Sequence, residues 1–374
     1  MKRLLILSFS PIASDARVLK QVQEFARDHE VVTCGYGPVP EGAAEHLRIP
    51  DDAPINALNG RLITLRWYSR VYRTLPAVRA ARDLLRGRRF DVVIANDVEA
   101  VPIALDLDVR HGVHADLHEF SPRLHEENPA WARRIAPYVS WLCRRHVARA
   151  SSWTTVGEGL AREYEREFGF RPRVVTNATP YRDVEPTPVH SPLRMVHSGA
   201  CLRNRRLDET VRAVSTMTNV TLDLYLTPND PGHLEELRAL AAASQGRVRL
   251  LDPVPYARLL DILEGYDLGV HLLAPTNFNN EWALPNKFFD YVQARLGVVI
   301  GPSPEMASYV RERGLGIIAE GFGADDLVHA LDAVTPDDVA GFKAAAHANA
   351  RALSAQAQVE IWRDAVTRLE GDAE

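Results

Sequence analysis

Residues 3–34, RLLILSFSPIASDARVLKQVQEFARDHEVVTC, contain a strand, a helix and a second strand in direct succession. The stretch at 3–9 is short, apolar and followed by a turn, which predicts a buried parallel strand. A second strand is predicted at 30–34, and the three elements form a βαβ unit. Five apolar residues recur at helical spacing between the strands and give the helix one apolar face: Val18, Leu19, Val22, Phe25 and Ala26.

The same alternation of strand and helix continues along the chain in two series. In the first series, strands are predicted at 90–96, 113–117, 152–156 and 174–176, with helices at 99–107, 131–149 and 158–168. In the second, strands are predicted at 193–198, 221–226, 248–251, 268–272, 298–300 and 316–319, with helices at 207–214, 234–243, 256–263, 286–293 and 306–313.

A proline-rich stretch at 178–193 separates the two series and is the best linker candidate. Two α/β series joined in this way predict two doubly wound Rossmann-like domains that face a cleft. The expected division is a first domain at 1–180, a linker at 181–193, a second domain at 194–355 and a terminal helix at 356–374.

Composition limits the class of protein. The 374 residues are 46% hydrophobic and 25% charged, as expected for two globular domains. No apolar stretch of about 18 residues occurs, and Leu4–Leu7 lacks a following cleavage site, so neither a membrane span nor a signal peptide is expected. Three distant cysteines fit a reducing cytoplasm rather than a disulfide framework or zinc site. The net charge of -5 argues against wholesale nucleic-acid binding.

Charge is concentrated at residues 61–89, which hold nine arginines and one acidic residue, Asp83. Aromatic and aliphatic side chains such as Trp67 and Tyr68 are interspersed among them. The stretch is either the solvated face of a helix or a docking surface for something anionic, a membrane leaflet or an acidic protein. A protein peripheral to the membrane would follow from the second interpretation.

Ligands of open α/β sheets bind at the carboxyl ends of strands, so the residues just after each strand are the site candidates. Neither a GxGxxG nor a Walker A loop is present, which disfavours a dehydrogenase-type dinucleotide site. A histidine at a strand end can donate to a sugar hydroxyl or a phosphate, although a lone histidine is more often structural. The candidates of the first series are Ser10, Asp15, Asp97, His118 and Glu119.

Two features of the second series indicate an anion site. Gly199 ends a strand and is followed by arginines at 203, 205 and 206 before a helix, where helix N–H groups and guanidinium forks suit phosphate oxygens. The segment EWALPNKFFDY at 281–291 places Lys287 in the first turn of a helix, where a cation is unfavourable without a negative ligand. An ordinary ion pair between Lys287 and Asp290, three residues later, is the alternative explanation.

The residues at these positions resemble those of the family-4 retaining glycosyltransferases, which have the GT-B fold. The resemblance covers nearly the whole chain, including a terminal helix that crosses back to the first domain. Its strings are SDARVLKQVQEFA at 14–26, DLHEF at 116–120, GACLRNRRLDETVRA at 199–213, the stretch at 254–263, YDLG at 266–269 and LPNKFFDYVQ at 284–293.

The resemblance implies a role for each matching residue. Arg205 and Lys287 correspond to basic residues on the donor diphosphate, Asp290 to the acid that binds the donor ribose, and His118 to a histidine that contacts the transferred hexose. The other donor positions are Gly199, Val254, Pro255, Asn286 and Glu281, with the base held by backbone at Val254 and Pro255. Ser10, Asp15, Asp97 and Glu119 are expected on the acceptor side. Trp282 and Ala200 depart from the pattern, because the family often has a glutamate and a second basic residue there.

Transfer of a hexose or N-acetylhexosamine from a nucleoside-diphosphate sugar, most commonly a UDP-sugar, is therefore expected, with retention and with neither a bound metal nor another cofactor. The acceptor is open: a small molecule, a lipid-linked one or one tethered to a carrier protein. Two alternatives remain, a nucleotide-sugar epimerase of the same fold and a non-catalytic nucleotide-sugar-binding protein.

Overall fold

The computed structural model describes residues 1–371, which form two compact units. The first unit holds residues 1–176, 277–279 and the terminal helix from residue 358 onward, and the second holds 177–276 and 280–357. Each unit contains one parallel sheet, of seven and six strands. Two parallel sheets with connecting helices confirm the predicted α/β fold with two doubly wound halves.

The first unit has the strand order β3-β2-β1-β4-β5-β6-β7, so that β1 lies inside the sheet, between β2 and β4. Its elements are β1 (Lys2–Pro11), α1 (Ala16–Phe25), β2 (His29–Tyr36), β3 (Glu45–Arg48), α2 (Gly60–Thr64), α3 (Tyr68–Thr74), α4 (Pro76–Leu85), β4 (Arg89–Asn96), α5 (Val101–Asp106), β5 (Asp108–Leu117), α6 (Pro129–Arg134), α7 (Ala136–Arg145), β6 (Ser152–Thr155), α8 (Glu158–Phe168) and β7 (Arg173–Val174).

The second unit has the strand order β10-β9-β8-β11-β12-β13. Its elements are β8 (Leu193–Ala200), α9 (Leu207–Thr216), β9 (Val220–Thr227), α10 (Pro231–Ala242), β10 (Val248–Leu251), α11 (Tyr256–Leu263), β11 (Leu268–His271), α12 (Phe278–Glu281), α13 (Asn286–Gln293), β12 (Gly297–Ile300), α14 (Pro304–Arg313), β13 (Gly316–Ile318), α15 (Ala324–Asp332), α16 (Pro336–Asn349) and α17 (Ala355–Gly371). The first residues of α12, and α17 from residue 358, belong to the first unit.

The long helix predicted at 131–149 is wrong, because the structure divides it into α6, α7 and a 3-10 turn at Val147–Arg149. Pro137 lies in the first turn of α7, where its missing N–H and fixed φ favour the start of a helix over the continuation of one. The short strand β3 and the helices α15 and α16 lie where the sequence analysis predicts no element.

The terminal helix α17 packs in the core of the first unit, as predicted. Trp362, Val366 and Leu369 are buried there against Leu4 and Ile6 of β1. Burial of these side chains contributes about 1.5–3 kcal/mol each. One face of strand β1 is therefore covered by residues that come more than 350 positions later in the chain.

Candidate functional site

The carboxyl end of β8 brings Gly199 against the side chain of Lys287. Gly199 has φ +131°, in the region that favours glycine, and a Cβ there would lie 2.9 Å from Lys287 Nζ. A larger residue at position 199 would thus both strain the backbone and displace the ammonium group. The glycine keeps space for Lys287 at the end of the strand.

Lys287 is a cation without an acidic partner. It is the second residue of α13, and among residues 1–371 no carboxylate lies within ion-pair distance of its Nζ atom. Burial and the nearby Arg205 guanidinium lower the pKa of Lys287 to about 7. The ordinary Lys287–Asp290 ion pair considered from the sequence does not form. A negative ligand would restore the charged form of this lysine.

Of the three arginines that follow Gly199, two are neutralised by acidic side chains. Arg203 donates both terminal nitrogens to Glu236, at 2.8 and 2.9 Å, and Arg206 lies 3.4 Å from Glu209. Arg205 is half-buried, its Nε atom is buried without a hydrogen-bond partner, and burial lowers its pKa. Arg205 is therefore the arginine that is available for an anion beside Lys287.

The Asp290 carboxylate is hydrogen-bonded to two hydroxyl groups that the sequence analysis did not single out. Its Oδ1 atom accepts hydrogen bonds from Thr179 Oγ1 at 2.5 Å and from Tyr256 OH at 2.8 Å. The carboxylate is buried, whereas Tyr256 is 54% exposed. Tyr256 directly follows Val254 and Pro255, so an exposed aromatic ring lies next to the loop where the base is expected.

The other predicted donor residues lie in the second unit around these elements. Val254 and Pro255 lie in the loop between β10 and α11, and Pro255 is exposed. Asn286 is the exposed first residue of α13, and Glu281 is the last residue of α12. These positions are compatible with the predicted roles, which remain predictions.

A pair of buried histidines lies close to the two cations. His197 of β8 and His271 of β11 have ring centroids 5.7 Å apart, and His197 Nδ1 donates to Val270 O at 2.8 Å. Burial first, and then the Lys287 charge, hold the pKa of both imidazoles well below the usual value. Both rings are therefore neutral, and the positive charge of this site comes from Lys287 and Arg205. The signal in the sequence was a histidine near the end of each of two predicted strands, which the structure shows to be neighbours in the sheet.

In the first unit, His118 follows β5 and is surrounded by acidic and amide oxygens. Its Nδ1 atom lies 3.3 Å from Asp97 Oδ2, and its Nε2 atom lies 3.2 Å from Asn96 Oδ1 and 3.5 Å from Asp116 Oδ2. Burial disfavours the imidazolium, but Asp97 and Asp116 outweigh burial and raise the pKa of His118. Asp97 and Asp116 thus favour the imidazolium form, in which both ring nitrogens donate to oxygen atoms.

Carboxyl groups with altered pKa values lie beside His118. Burial and the Asp97 charge raise the pKa of Glu119, and they raise the pKa of Glu99 to about 7. Asp97 itself has φ 63° and accepts a hydrogen bond from the backbone N–H of His118 at 3.0 Å. Glu99 is the residue that sequence reasoning missed here, because it lies three positions after the end of β4.

Ser10 and Asp15 have local partners. Asp15 caps α1, and its Oδ1 atom accepts from the backbone N–H groups of Arg17 and Val18 at 3.1 and 3.2 Å. The Ser10 hydroxyl lies 2.8 Å from the Ser8 hydroxyl at the end of β1. Acceptor-side roles for both residues remain predictions.

Close to His118, a buried ion pair joins α1 to β5 and contacts three further segments of the first unit. Arg17 of α1 donates to both carboxylate oxygens of Asp116, at 2.6 and 2.8 Å, and to Val175 O at 2.8 Å. Gln21 and Thr154 also donate to Asp116, each at 2.6 Å. The guanidinium group of Arg17 lies over the ring of Trp362, 4.9 Å from its centroid. Arg17 and Gln21, both within the string at 14–26, thus orient the carboxylate that lies beside His118.

Residues 277–279 are bound to the loop that follows His118. Asn279 accepts from the backbone N–H of Phe120 at 2.7 Å and donates to Phe120 O at 3.2 Å. Phe278 packs edge-on against Phe120, with ring centroids 5.4 Å apart, and its backbone N–H donates to Glu126. These contacts explain why three residues of the second series belong to the first unit.

Within residues 1–371, no group of three or more His, Cys, Asp or Glu side chains could hold a metal ion. Over the same residues, no helix is long and apolar enough to cross a membrane.

Comparisons with known proteins show the fold of the chain and a match of its first half to one family model. Residues 16–180 match the family model described as Glycosyltransferase Family 4. Among curated proteins, none matches the sequence significantly.

Solved glycosyl-transferring enzymes superimpose along the whole chain. Sucrose-phosphate synthase from Thermosynechococcus elongatus has a TM-score of 0.72 at 11% identity, covering 98% of this chain and 100% of that one. Anabaena HepE in complex with UDP and glucose has a TM-score of 0.67 at 14% identity, covering 98% and 100%. The E. coli trehalose-6-phosphate protein bound with UDP-2-fluoro glucose has a TM-score of 0.66 at 12% identity, covering 98% and 99%. These superpositions show that the chain has the GT-B fold, and residues 16–180 carry the match to the family model.

Proposed function

We propose that the protein transfers a hexose or N-acetylhexosamine from a UDP-sugar to an acceptor, with retention of anomeric configuration and without a metal ion. The observation that carries this proposal is the pair of cations without acidic partners, Lys287 and Arg205, at the glycine that ends β8. Two neighbouring cations without a carboxylate call for an anion, and the diphosphate of a nucleotide sugar supplies one. The HepE complex with UDP and glucose supports this choice of donor.

The second unit offers groups for the phosphates, the ribose and the base of the donor. Lys287 and Arg205 bind the two phosphates and stabilise the charge that develops on the leaving diphosphate. Asp290, oriented by Tyr256, accepts from the ribose hydroxyls, while the backbone at Val254 and Pro255 holds the base. We assign the contact with the hexose to His118 of the first unit, whose protonated form is favoured by Asp97 and Asp116. The acceptor is a small molecule, a lipid-linked one or one tethered to a carrier protein.

Thermal unfolding with nucleotides in the presence of EDTA tests the donor site. We expect UDP to raise the melting temperature, because a ligand at about 100 times its dissociation constant adds about 2.7 kcal/mol of stability. GDP and ADP serve as controls for the base. If none of the three nucleotides shifts the transition, or if a shift requires manganese, the proposed donor site is wrong.

Product analysis tests the reaction. With a panel of UDP-sugars and no acceptor, we expect slow release of UDP, and the first sugar released from an α-linked donor should be the α anomer. A β anomer would contradict retention. Conversion of the donor into another nucleotide sugar would instead identify an epimerase, and binding without any turnover would identify a non-catalytic protein.

Donor binding should weaken as the pH rises above 7. The pKa of Lys287 is about 7 in the free protein, and the bound diphosphate raises it, so binding takes up a proton. The full affinity is present below pH 7, and it falls by up to about tenfold per pH unit until the pH passes the raised pKa. The terminal phosphate of UDP, with a pKa of about 6, is already ionised in this range.

Calorimetric titration with UDP between pH 6.5 and 9.5 measures this dependence. His197 and His271 stay neutral and Arg205 stays charged over the whole range, so among these groups near the phosphates Lys287 is the one expected to titrate. The Lys287→Met variant should bind more weakly and lose most of the pH dependence. An affinity for the wild-type protein that stays level or rises above pH 7 would contradict the assignment.

A further inference from the structure

Two large apolar side chains are exposed close together in the first unit. Leu65 is 56% exposed and Trp67 is 51% exposed, on either side of the turn between α2 and α3. Arg66, between them, has φ 55°, a left-handed conformation that costs a non-glycine residue about 1 kcal/mol or more. A strained turn that exposes a tryptophan and a leucine to solvent is unfavourable for an isolated domain, and this suggests a binding partner.

The arginines of residues 61–89 divide into two groups. Those from Arg82 onward pair with acidic side chains of the first unit: Arg82 with Asp106, Arg86 with Asp83, Arg88 with Glu45 and Arg89 with Asp108. The earlier five are exposed, and among residues 1–371 none has a carboxylate within ion-pair distance: Arg61, Arg66, Arg70, Arg73 and Arg79. The basic surface predicted from the sequence is therefore confined to residues 61–79.

Aromatic rings of α3 and α7 extend the same surface. A recess of about 390 Å³ is lined by residues 66–70 together with Arg73 and Trp141. The rings of Tyr68 and Trp141 are 6.0 Å apart, and the Arg70 guanidinium lies over Trp67 at 5.3 Å. Arg145, also exposed and without an acidic partner among the described residues, lies on the same helix as Trp141.

We propose that this docking surface, residues 61–79 with Trp141 and Arg145, binds an anionic lipid bilayer. Tryptophan and tyrosine favour the interface between headgroups and acyl chains, and arginines near it are attracted to anionic headgroups. Residues 61–79 contain no Asp, Glu, Asn or Gln, so no side-chain carboxylate or carboxamide within this stretch offsets the charge of its arginines. The whole chain has a net charge of -5, and the attraction is therefore local to this surface.

Co-sedimentation of the full chain with vesicles tests the proposal. Vesicles of phosphatidylcholine alone are compared with vesicles that also contain phosphatidylglycerol, at low salt and at about 0.5 M salt, where screening is strong. We expect binding to the anionic vesicles at low salt, with little binding to the neutral ones. The triple variant Arg66→Glu, Arg70→Glu, Arg73→Glu should lower the partition coefficient at least about tenfold.

A charge-matched variant provides the control. This control is a triple variant with the substitutions Arg110→Glu, Arg238→Glu and Arg311→Glu. It changes the net charge by the same amount at exposed positions outside the docking surface and should leave vesicle binding nearly unchanged. The double variant Leu65→Ala, Trp67→Ala should weaken binding while keeping its salt dependence. Absence of binding to any vesicle, equal binding to neutral vesicles, or equal losses in both triple variants would overturn the proposal, and capture of an acidic protein instead would assign the surface to that partner.

Discussion

Replacing Lys287 or Arg205 with alanine is expected to lower turnover of the UDP-sugar by about 10²–10³-fold in each variant, as is found when one preorganised donor to a developing oxyanion is removed. The expected loss rests on the absence of any other partner for these cations: Arg205 Nε is buried without a hydrogen bond, and Lys287 has no acidic partner among the described residues. Both charges are therefore available to the leaving diphosphate.

Arg203→Ala is the matched control for this experiment. Arg203 lies in the same short turn as Arg205, but both of its terminal nitrogens are bound to Glu236. We expect turnover of the Arg203 variant within a few-fold of wild type, as for an exposed surface ion pair. Initial rates of UDP release, together with unchanged melting temperatures, distinguish loss of catalysis from loss of folding. Near-normal turnover in both the Lys287 and Arg205 variants would refute the assigned roles.

Arg17→Met is expected to destabilise the first unit by about 3–5 kcal/mol, because it leaves the Asp116 carboxylate buried without its counter-ion. Asp116 has no exposed surface, and Arg17 supplies two of its hydrogen bonds. The same substitution removes the donor to Val175 O and the contact with Trp362. The loss should therefore appear as unfolding of this unit at lower urea concentration.

Tryptophan fluorescence is a suitable probe, because five of the six tryptophans lie in the first unit and Trp282 alone lies in the second. The double variant Arg17→Met, Asp116→Asn removes both charges and should be less destabilised than Arg17→Met alone. The buried pair does not stabilise the unit as described if Arg17→Met unfolds at the wild-type urea concentration. The same holds if the double variant loses as much free energy of unfolding as the two single substitutions lose together.

The sequence was sufficient to predict the two sheets and to single out residues near the carboxyl ends of their strands. Buried parallel strands appear as short apolar runs, and their carboxyl ends are fixed once the strands are known, so Gly199 and Lys287 could be identified from position alone. The arginine that remains available could not be chosen with certainty, because pairing of Arg203 with Glu236 and of Arg206 with Glu209 depends on the fold of α9 and α10.

Contacts between distant residues explain what sequence reasoning missed. Thr179 and Tyr256 reach Asp290 from 111 and 34 positions away, and no local pattern signals such a meeting. The histidine pair likewise requires β8 and β11 to be neighbours in the sheet. The split of the predicted helix at 131–149 had a local cause, Pro137, and could have been predicted.

The terminal helix has a consequence for how the chain can be divided. The family match begins at residue 16, after β1, and ends at residue 180, long before α17. We therefore expect that the matched stretch does not fold by itself, because it lacks the interior strand β1 and the helix that carries Trp362 and Val366. A chain that ends at residue 180 would lack α17. One face of β1 would then be exposed to solvent, and the Arg17 guanidinium would lose its contact with the Trp362 ring. Permuting the chain so that α17 directly precedes β1 would keep these contacts within one continuous segment.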